Sequence, residues 1–156
     1  RPRLLLLNKP CGVICSHIDP DGRPTIFDNL PKLATGRWLS VGRLDLNSTG
    51  LQLITNCGEL SHKLMHPSFG HKRTYLVRIR GSLTEYIIKQ LISGVTIDNQ
   101  MYNCESVKPV IYNQKQLVKK KQESSNNWYE IVLSQGRNRE IRKLMQYANC
   151  DVSRLN

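Results

Sequence analysis

Apolar and polar residues do not keep one period along this chain. The spacing switches between two and about 3.6 several times, the mark of a mixed α/β (α+β) domain. Alternating or continuously apolar runs at Leu4–Asn8, Val13–Ser16, Trp38–Val41, Leu51–Thr55, Arg73–Arg80, Val107–Tyr112 and Trp128–Leu133 predict strands. Three stretches predict helices. Glu59–Met65 is stopped by His66-Pro67, because a residue before proline avoids the helical region. Thr84 caps a second helix reaching Ser93, with Ile87, Ile88, Leu91 and Ile92 on one face and Gly94 as its stop. The third, about Arg139 to Asn149, sets Ile141, Leu144, Met145 and Ala148 on a buried stripe. Asn113–Asn127 is polar, holds three consecutive lysines, and reads as a mobile hairpin loop. Short turns between successive strands predict a mainly antiparallel sheet, long and bent, with helices packed on it.

A length of 156 residues fits one domain spanning the chain, and 39 % hydrophobic residues can supply its core. Charge changes the picture more. Lys and Arg total 23 against 12 acids, a net +11, which favours a polyanionic partner or an acidic surface. The run Leu4–Leu7 is too short to span a bilayer and lacks a secretory cleavage site, so no membrane partner is expected. Five cysteines at irregular positions (11, 15, 57, 104, 150) do not form a disulfide pattern, and a reduced, cytoplasmic protein is the simpler expectation. The chain opens on Arg1 and stops at Asn156 without a terminating signal, and reads as a piece of a longer polypeptide.

Three clusters carry possible chemistry. In Ser40–Gly50 (SVGRLDLNSTG) a strand end feeds a turn-rich loop. Asp45 and Asn47 there either shape the loop through backbone hydrogen bonds or present a single carboxylate in a pocket. In Lys72–Arg80, alternation sets Arg73, Tyr75, Val77 and Ile79 on one face and Arg78 and Arg80 on the other. A basic strand with an aromatic is an ordinary β-strand or a platform for a nucleobase. In Gln135–Lys143 (QGRNREIRK), cations gather at a helix start, which favours anions. That arrangement suits a phosphate. Arg142 follows the buried Ile141, so it is half-buried and wants a carboxylate, for which Asp45 is a candidate.

Other motifs fail. His62 and His66 lack a following glutamate and a third ligand, Cys11, Cys15 and His17 lack zinc-finger spacing, and no phosphate-cradling glycine loop appears. No metal and no small-molecule cofactor is expected, and no nucleophilic triad is visible.

These same residues resemble a known family. Gly42-Arg43-Leu44-Asp45, Thr49-Gly50-Leu51 and Thr55–Leu60 are similar to the catalytic motif of pseudouridine synthases, in the group that modifies bacterial ribosomal RNA. Asn8-Lys9-Pro10-x-Gly12, Pro20–Asp28, Leu30-Pro31-Lys32, His66-Pro67-Ser68, Arg73-x-Tyr75-x-Val77, Gly136–Arg142 and Val152–Leu155 extend the likeness over nearly the whole chain. Several ordered motifs are far more specific than one tetrapeptide.

The resemblance implies an RNA-modifying isomerase needing neither metal nor nucleotide. Its expected substrate is a uridine in a stem-loop of 23S ribosomal RNA. The same chemistry on small-subunit or transfer RNA, and a non-catalytic RNA-binding or assembly module, are the alternatives. It implies Asp45 as the catalytic carboxylate, acting covalently on the sugar or removing a sugar proton. Tyr75 would stack on the uracil and serve as base at its ring carbon. Arg142 would pair with Asp45 and keep it ionised. Ile141 and Leu155 would support the pocket, and Arg43, Arg73, Arg137, Arg139 and Lys143 would meet RNA. The uridine must leave its stack, at a few kcal/mol that backbone attraction can offset. The family also leads one to expect an amino-terminal RNA-binding domain of the S4 type and a further strand pair after Leu155. A monomer is expected.

Overall fold

A computed structural model describes residues 1–110 and 126–156. These form two compact units, Arg1–His71 with Asn156, and Lys72–Leu155.

The first unit is built on a three-stranded antiparallel sheet. Strand β1 (Leu4–Lys9) pairs with β3 (Gly50–Thr55) from Leu4↔Thr55 to Lys9↔Gly50, and β2 (Leu39–Val41) flanks β3 on its other side. Leu5 and Leu7 of β1 face inward by alternation and meet a small core of Ile26, Trp38 and Ile54. The Trp38 indole also donates to the Pro31 carbonyl at 2.8 Å, which satisfies its one polar atom. Helix α1 (Gly58–Met65) ends as expected at His66-Pro67, and Pro67–Phe69 adds a single 3-10 turn closed by Gly70 at φ 64°. The strand expected at Val13–Ser16 does not form. Only one bridge, Ile14↔Thr25, is made there, and Pro24, which has no N–H, cannot carry the ladder back towards Gly12. The turn before it is clamped by Asp19, whose carboxylate takes both the Arg23 N–H and its guanidinium at 2.7 Å. That guanidinium holds the Asp19 carboxyl down at about 2.

The second unit carries a four-stranded antiparallel sheet in the order β7 (Ser106–Val110), β8 (Asn126–Leu133), β4 (Arg73–Arg80), β9 (Val152–Leu155). Strand β4 lies between β8 and β9, with Tyr75 opposite Ile131 and Val77 opposite both Tyr129 and Leu155. Inward alternation on β4 and β8 buries Val77, Ile79, Tyr129, Ile131 and Leu133, and helices α2 (Glu85–Ser93) and α3 (Glu140–Tyr147) contribute Leu91, Ile141, Leu144 and Met145 to the same core. Thr84 caps α2, its hydroxyl accepting from the Ile87 N–H at 3.2 Å. Ile92, expected on the buried face, is 40 % exposed, since one residue beyond Leu91 turns it about 100° away. Helix α3 is shorter than its pattern at both ends. Arg139 (φ 53°) and Asn149 (φ 57°) are left-handed, so neither belongs to the helix.

A hairpin of β5 (Val95–Ile97) and β6 (Gln100–Tyr102) turns through Asp98 and Asn99, both at positive φ, the geometry a two-residue turn requires. Of the expected loop Asn113–Asn127, Asn126 and Asn127 are instead the first residues of β8, and its other residues, with Ile111 and Tyr112 of the strand expected before it, lie outside the described residues. No helix among the described residues is long and apolar enough to cross a membrane.

Candidate RNA-modification site

Asp45 stands half-buried in the loop between β2 and β3. Gly42, at φ 70°, turns the chain out of β2, and the Asp45 carbonyl accepts the Ser48 N–H at 3.0 Å, so a tight turn carries the carboxylate. Two side chains from the sheet hold this loop. Lys9, at the end of β1, has no exposed surface; its ammonium donates to the carbonyls of Val13 at 2.6 Å, Pro10 at 3.0 Å and Leu46 at 3.4 Å. The Gly12 N–H reaches the same Leu46 carbonyl at 2.9 Å. Burial lowers the Lys9 pKa, opposed by the nearby thiols of Cys15 and Cys11 and by the charge of Asp45.

Gln52, buried at the centre of β3, does the same for the other end of the loop. Its amide donates to the Ser40 hydroxyl at 2.9 Å and the Val41 carbonyl at 3.1 Å, and its oxygen accepts the Cys15 thiol at 3.4 Å. The Asp45 turn is therefore tied to two strands by buried donors, which limits its freedom. Arg43 of the same loop is exposed.

Tyr75, Arg142, Ile141 and Leu155 belong to the second unit. Tyr75 is half-buried on β4 and packs on the core that contains Ile141 (3 % exposed) and Leu155 (6 %). The three apolar surfaces expected together are thus in one cluster. Arg142 is half-buried on α3.

The basic residues fall into a second group around the start of α3. The Arg73 guanidinium lies directly on Gly136; a Cβ there would come within 3.0 Å of its central carbon, so any larger residue would push it aside. The Arg137 guanidinium donates to the Met101 carbonyl at 2.6 Å and sits 4.9 Å from the centre of the Tyr102 ring. The Lys143 ammonium lies 5.8 Å from the same ring. Arg139 is exposed. The anion that this helix start favours is internal: Glu140 is buried, accepts the Arg137 N–H at 2.9 Å, and returns its own N–H to the Arg137 carbonyl. Burial pushes the Glu140 carboxyl up, and Arg137 and Arg73 oppose that. Burial likewise raises the Cys104 thiol to about 12.

Lys9, Gln52, Glu140 and Tyr102 were not singled out as individual residues by the sequence. Gln52 had a local signal, an amide at an inward position of an otherwise apolar strand. Among the described residues no group of three or more His, Cys, Asp or Glu side chains is placed to hold a metal ion.

Comparison with known proteins bears on this arrangement. The sequence model of the RNA pseudouridylate synthase family matches residues 3–147. The chain is 47 % identical, over 98 % of its length and 37 % of the relative's, to ribosomal large subunit pseudouridine synthase B of Pseudomonas aeruginosa. It is 43 % identical to the protein of that name from Vibrio vulnificus, over 98 % of this chain and 45 % of that one. It therefore spans less than half the length of these curated relatives. A crystal structure of a pseudouridylate synthase superposes with a TM-score of 0.78 at 25 % identity, covering 99 % of this chain and 61 % of the other. Human RNA pseudouridylate synthase domain containing 4 shares the fold, with a TM-score of 0.55 at 14 % identity, covering 96 % of this chain and 63 % of the other.

Proposed function

This chain belongs to the RNA pseudouridylate synthase family, and we propose from that premise that it converts a uridine of large-subunit ribosomal RNA to pseudouridine. The observation that carries the reading is the 47 % identity across nearly the whole chain to a relative named for that activity. The reaction breaks the bond between N1 of uracil and the ribose, turns the base, and joins C5 to the same sugar carbon. The C5 proton leaves and N1 ends protonated, so no oxidant, metal or nucleotide enters the balance.

Asp45 is the carboxylate that acts on the sugar, and a loop held by Lys9 and Gln52 suits a group that must meet one atom. Tyr75 stacks on the uracil and takes the C5 proton, with Ile141 and Leu155 behind it. Arg142 supplies the counter-charge for the reacting carboxylate. Arg43, Arg73, Arg137, Arg139 and Lys143 contact phosphates, with Arg137 and Lys143 steadied by Tyr102. Residues 1–156 are the catalytic part of the protein, which works as a cytoplasmic monomer on a uridine turned out of a stem-loop.

Asp45→Asn tests the assignment. The change is nearly isosteric, so product formation should vanish while RNA affinity stays within about tenfold. Carbodiimide treatment and primer extension on ribosomal RNA from a deletion strain should show one lost stop in the large-subunit RNA. A full-rate Asn variant would remove Asp45 from the chemistry. A stop lost from small-subunit or transfer RNA would move the substrate, and an unchanged pattern with a subunit-assembly defect would make the protein a binder.

A further inference from the structure

The first unit contains a cleft that the reaction above does not use. Its volume is about 440 Å³, within the roughly 300–1,000 Å³ of small-ligand sites. Cys15, His17, Phe27, Arg37, His62 and Met65 are among its walls. His17 and Phe27 are stacked, with ring centres 3.7 Å apart and planes within 10°. Phe27 packs on the core of Ile26, Trp38 and Ile54, so it is a fixed base for the exposed His17 ring. The result is a flat aromatic wall standing at the surface. Arg37 is exposed at the same cleft, and no carboxylate lines it. Among the described residues no ion pair involves Arg37.

A planar π surface beside an arginine, in an acid-free cleft of a protein with charge +11, is the chemistry that binds an unpaired nucleotide. We propose that this cleft is a second RNA-contact site, taking one unpaired nucleotide with its base against the His17–Phe27 stack and its phosphate on Arg37. The inference rests on the reading of the protein as an enzyme acting on RNA, and extends it to a nucleotide other than the one modified. The cleft is also joined to the Asp45 loop within the same unit. Gln52 accepts the thiol of Cys15 in the cleft wall and donates to Val41 at the root of that loop. Cys15 in the cleft wall therefore touches a residue that holds the loop in place.

Cys15 reports on the site directly, being half-exposed in its wall. The alkylation rate of Cys15 by iodoacetamide, read peptide by peptide in the intact protein, is measured with and without a large-subunit RNA stem-loop. The RNA should slow Cys15 about fivefold or more, and Arg37→Glu and His17→Ala should each restore most of the free rate. Uridine 5′-monophosphate at millimolar concentration should protect weakly and inorganic phosphate not at all. Equal protection by phosphate would reduce the cleft to an anion site and overturn the nucleotide assignment. A Cys15 rate indifferent to RNA, or protection unchanged in both variants, would overturn the site itself. Pseudouridine measured in the same tubes separates the two readings: protection without product removes the activity and leaves this site, and product without protection does the reverse.

Discussion

The two units are stabilised by different physics. In the second, sixteen of the described residues, thirteen of them on strands and helices, form one buried cluster, and the strands that carry Tyr75 and Leu155 are ribs of it. In the first, the buried apolar cluster is Ile26, Trp38 and Ile54, while Lys9, Ser48, Gln52, Thr55 and Ser61 are buried beside it. Three of those polar groups spend hydrogen bonds on backbone carbonyls in loops or at a strand end: Lys9 on Val13 and Leu46, Gln52 on Val41, Thr55 on Arg3. An apolar core resists expansion without specifying a loop conformation, whereas a buried donor specifies one, because leaving it unpaired is costly. In the proposed mechanism the strand of Tyr75 needs only the first. The Asp45 loop needs the second.

Cutting each kind of support should separate stability from rate. The largest effect on stability is expected from Leu144→Ala on α3, which has no exposed surface: about 3 kcal/mol by urea denaturation, in the range for buried leucine truncations. At a temperature where the variant stays folded, its turnover should remain within about threefold. Lys9→Met comes next, at about 2 kcal/mol, since Val13 and Leu46 lose a charged donor while the cost of burying the ammonium is removed. Its turnover should nevertheless fall about a hundredfold, the scale of effect when a reacting group is displaced by an ångström. If Leu144→Ala slows turnover more than Lys9→Met does, the contrast between the units is wrong. Gln52→Leu is a milder version, about 1 kcal/mol, because leucine fills the space and the bonds lost, to Ser40, Val41 and Cys15, are neutral. Turnover should drop about tenfold, measured as kcat with KM nearly unchanged.

The same contrast explains what could be read from the sequence. Arg73–Arg80 and the capped helix ending at Ser93 fall where alternation and Thr84 put them, because one packed face determines both. The hairpin through Asp98-Asn99 and the short β9 were missed, since three- and four-residue strands hold too few alternations to show a period. The Ile14 segment was over-read for the opposite reason: it is apolar enough for a strand, but its neighbour carries Pro24. Asp45 was singled out by the family resemblance of the motif around it. The clamps on its loop were not, because a lysine at a strand end normally signals solvent, and nothing local says that its ammonium turns inward to three carbonyls.

The smallest effect tests a place where the second unit borrows the polar strategy of the first. Glu140 is buried at the start of α3, and burial holds its carboxyl above the ordinary value of 4.5. Below that value the folded and unfolded carboxyls are both protonated, and the group leaves stability unchanged. As pH rises through 4.5 the unfolded chain gives up its proton first, so stability falls until the folded carboxyl has also ionised, and is flat above that. Glu140→Gln retains an acceptor for the Arg137 N–H at that position and abolishes the titration. The difference between wild type and variant in urea unfolding should therefore change as pH rises above 4.5, with the wild type losing ground. Parallel curves would mean that attraction from Arg137 and Arg73 already cancels the burial, and that Glu140 serves the helix only as a hydrogen-bond acceptor.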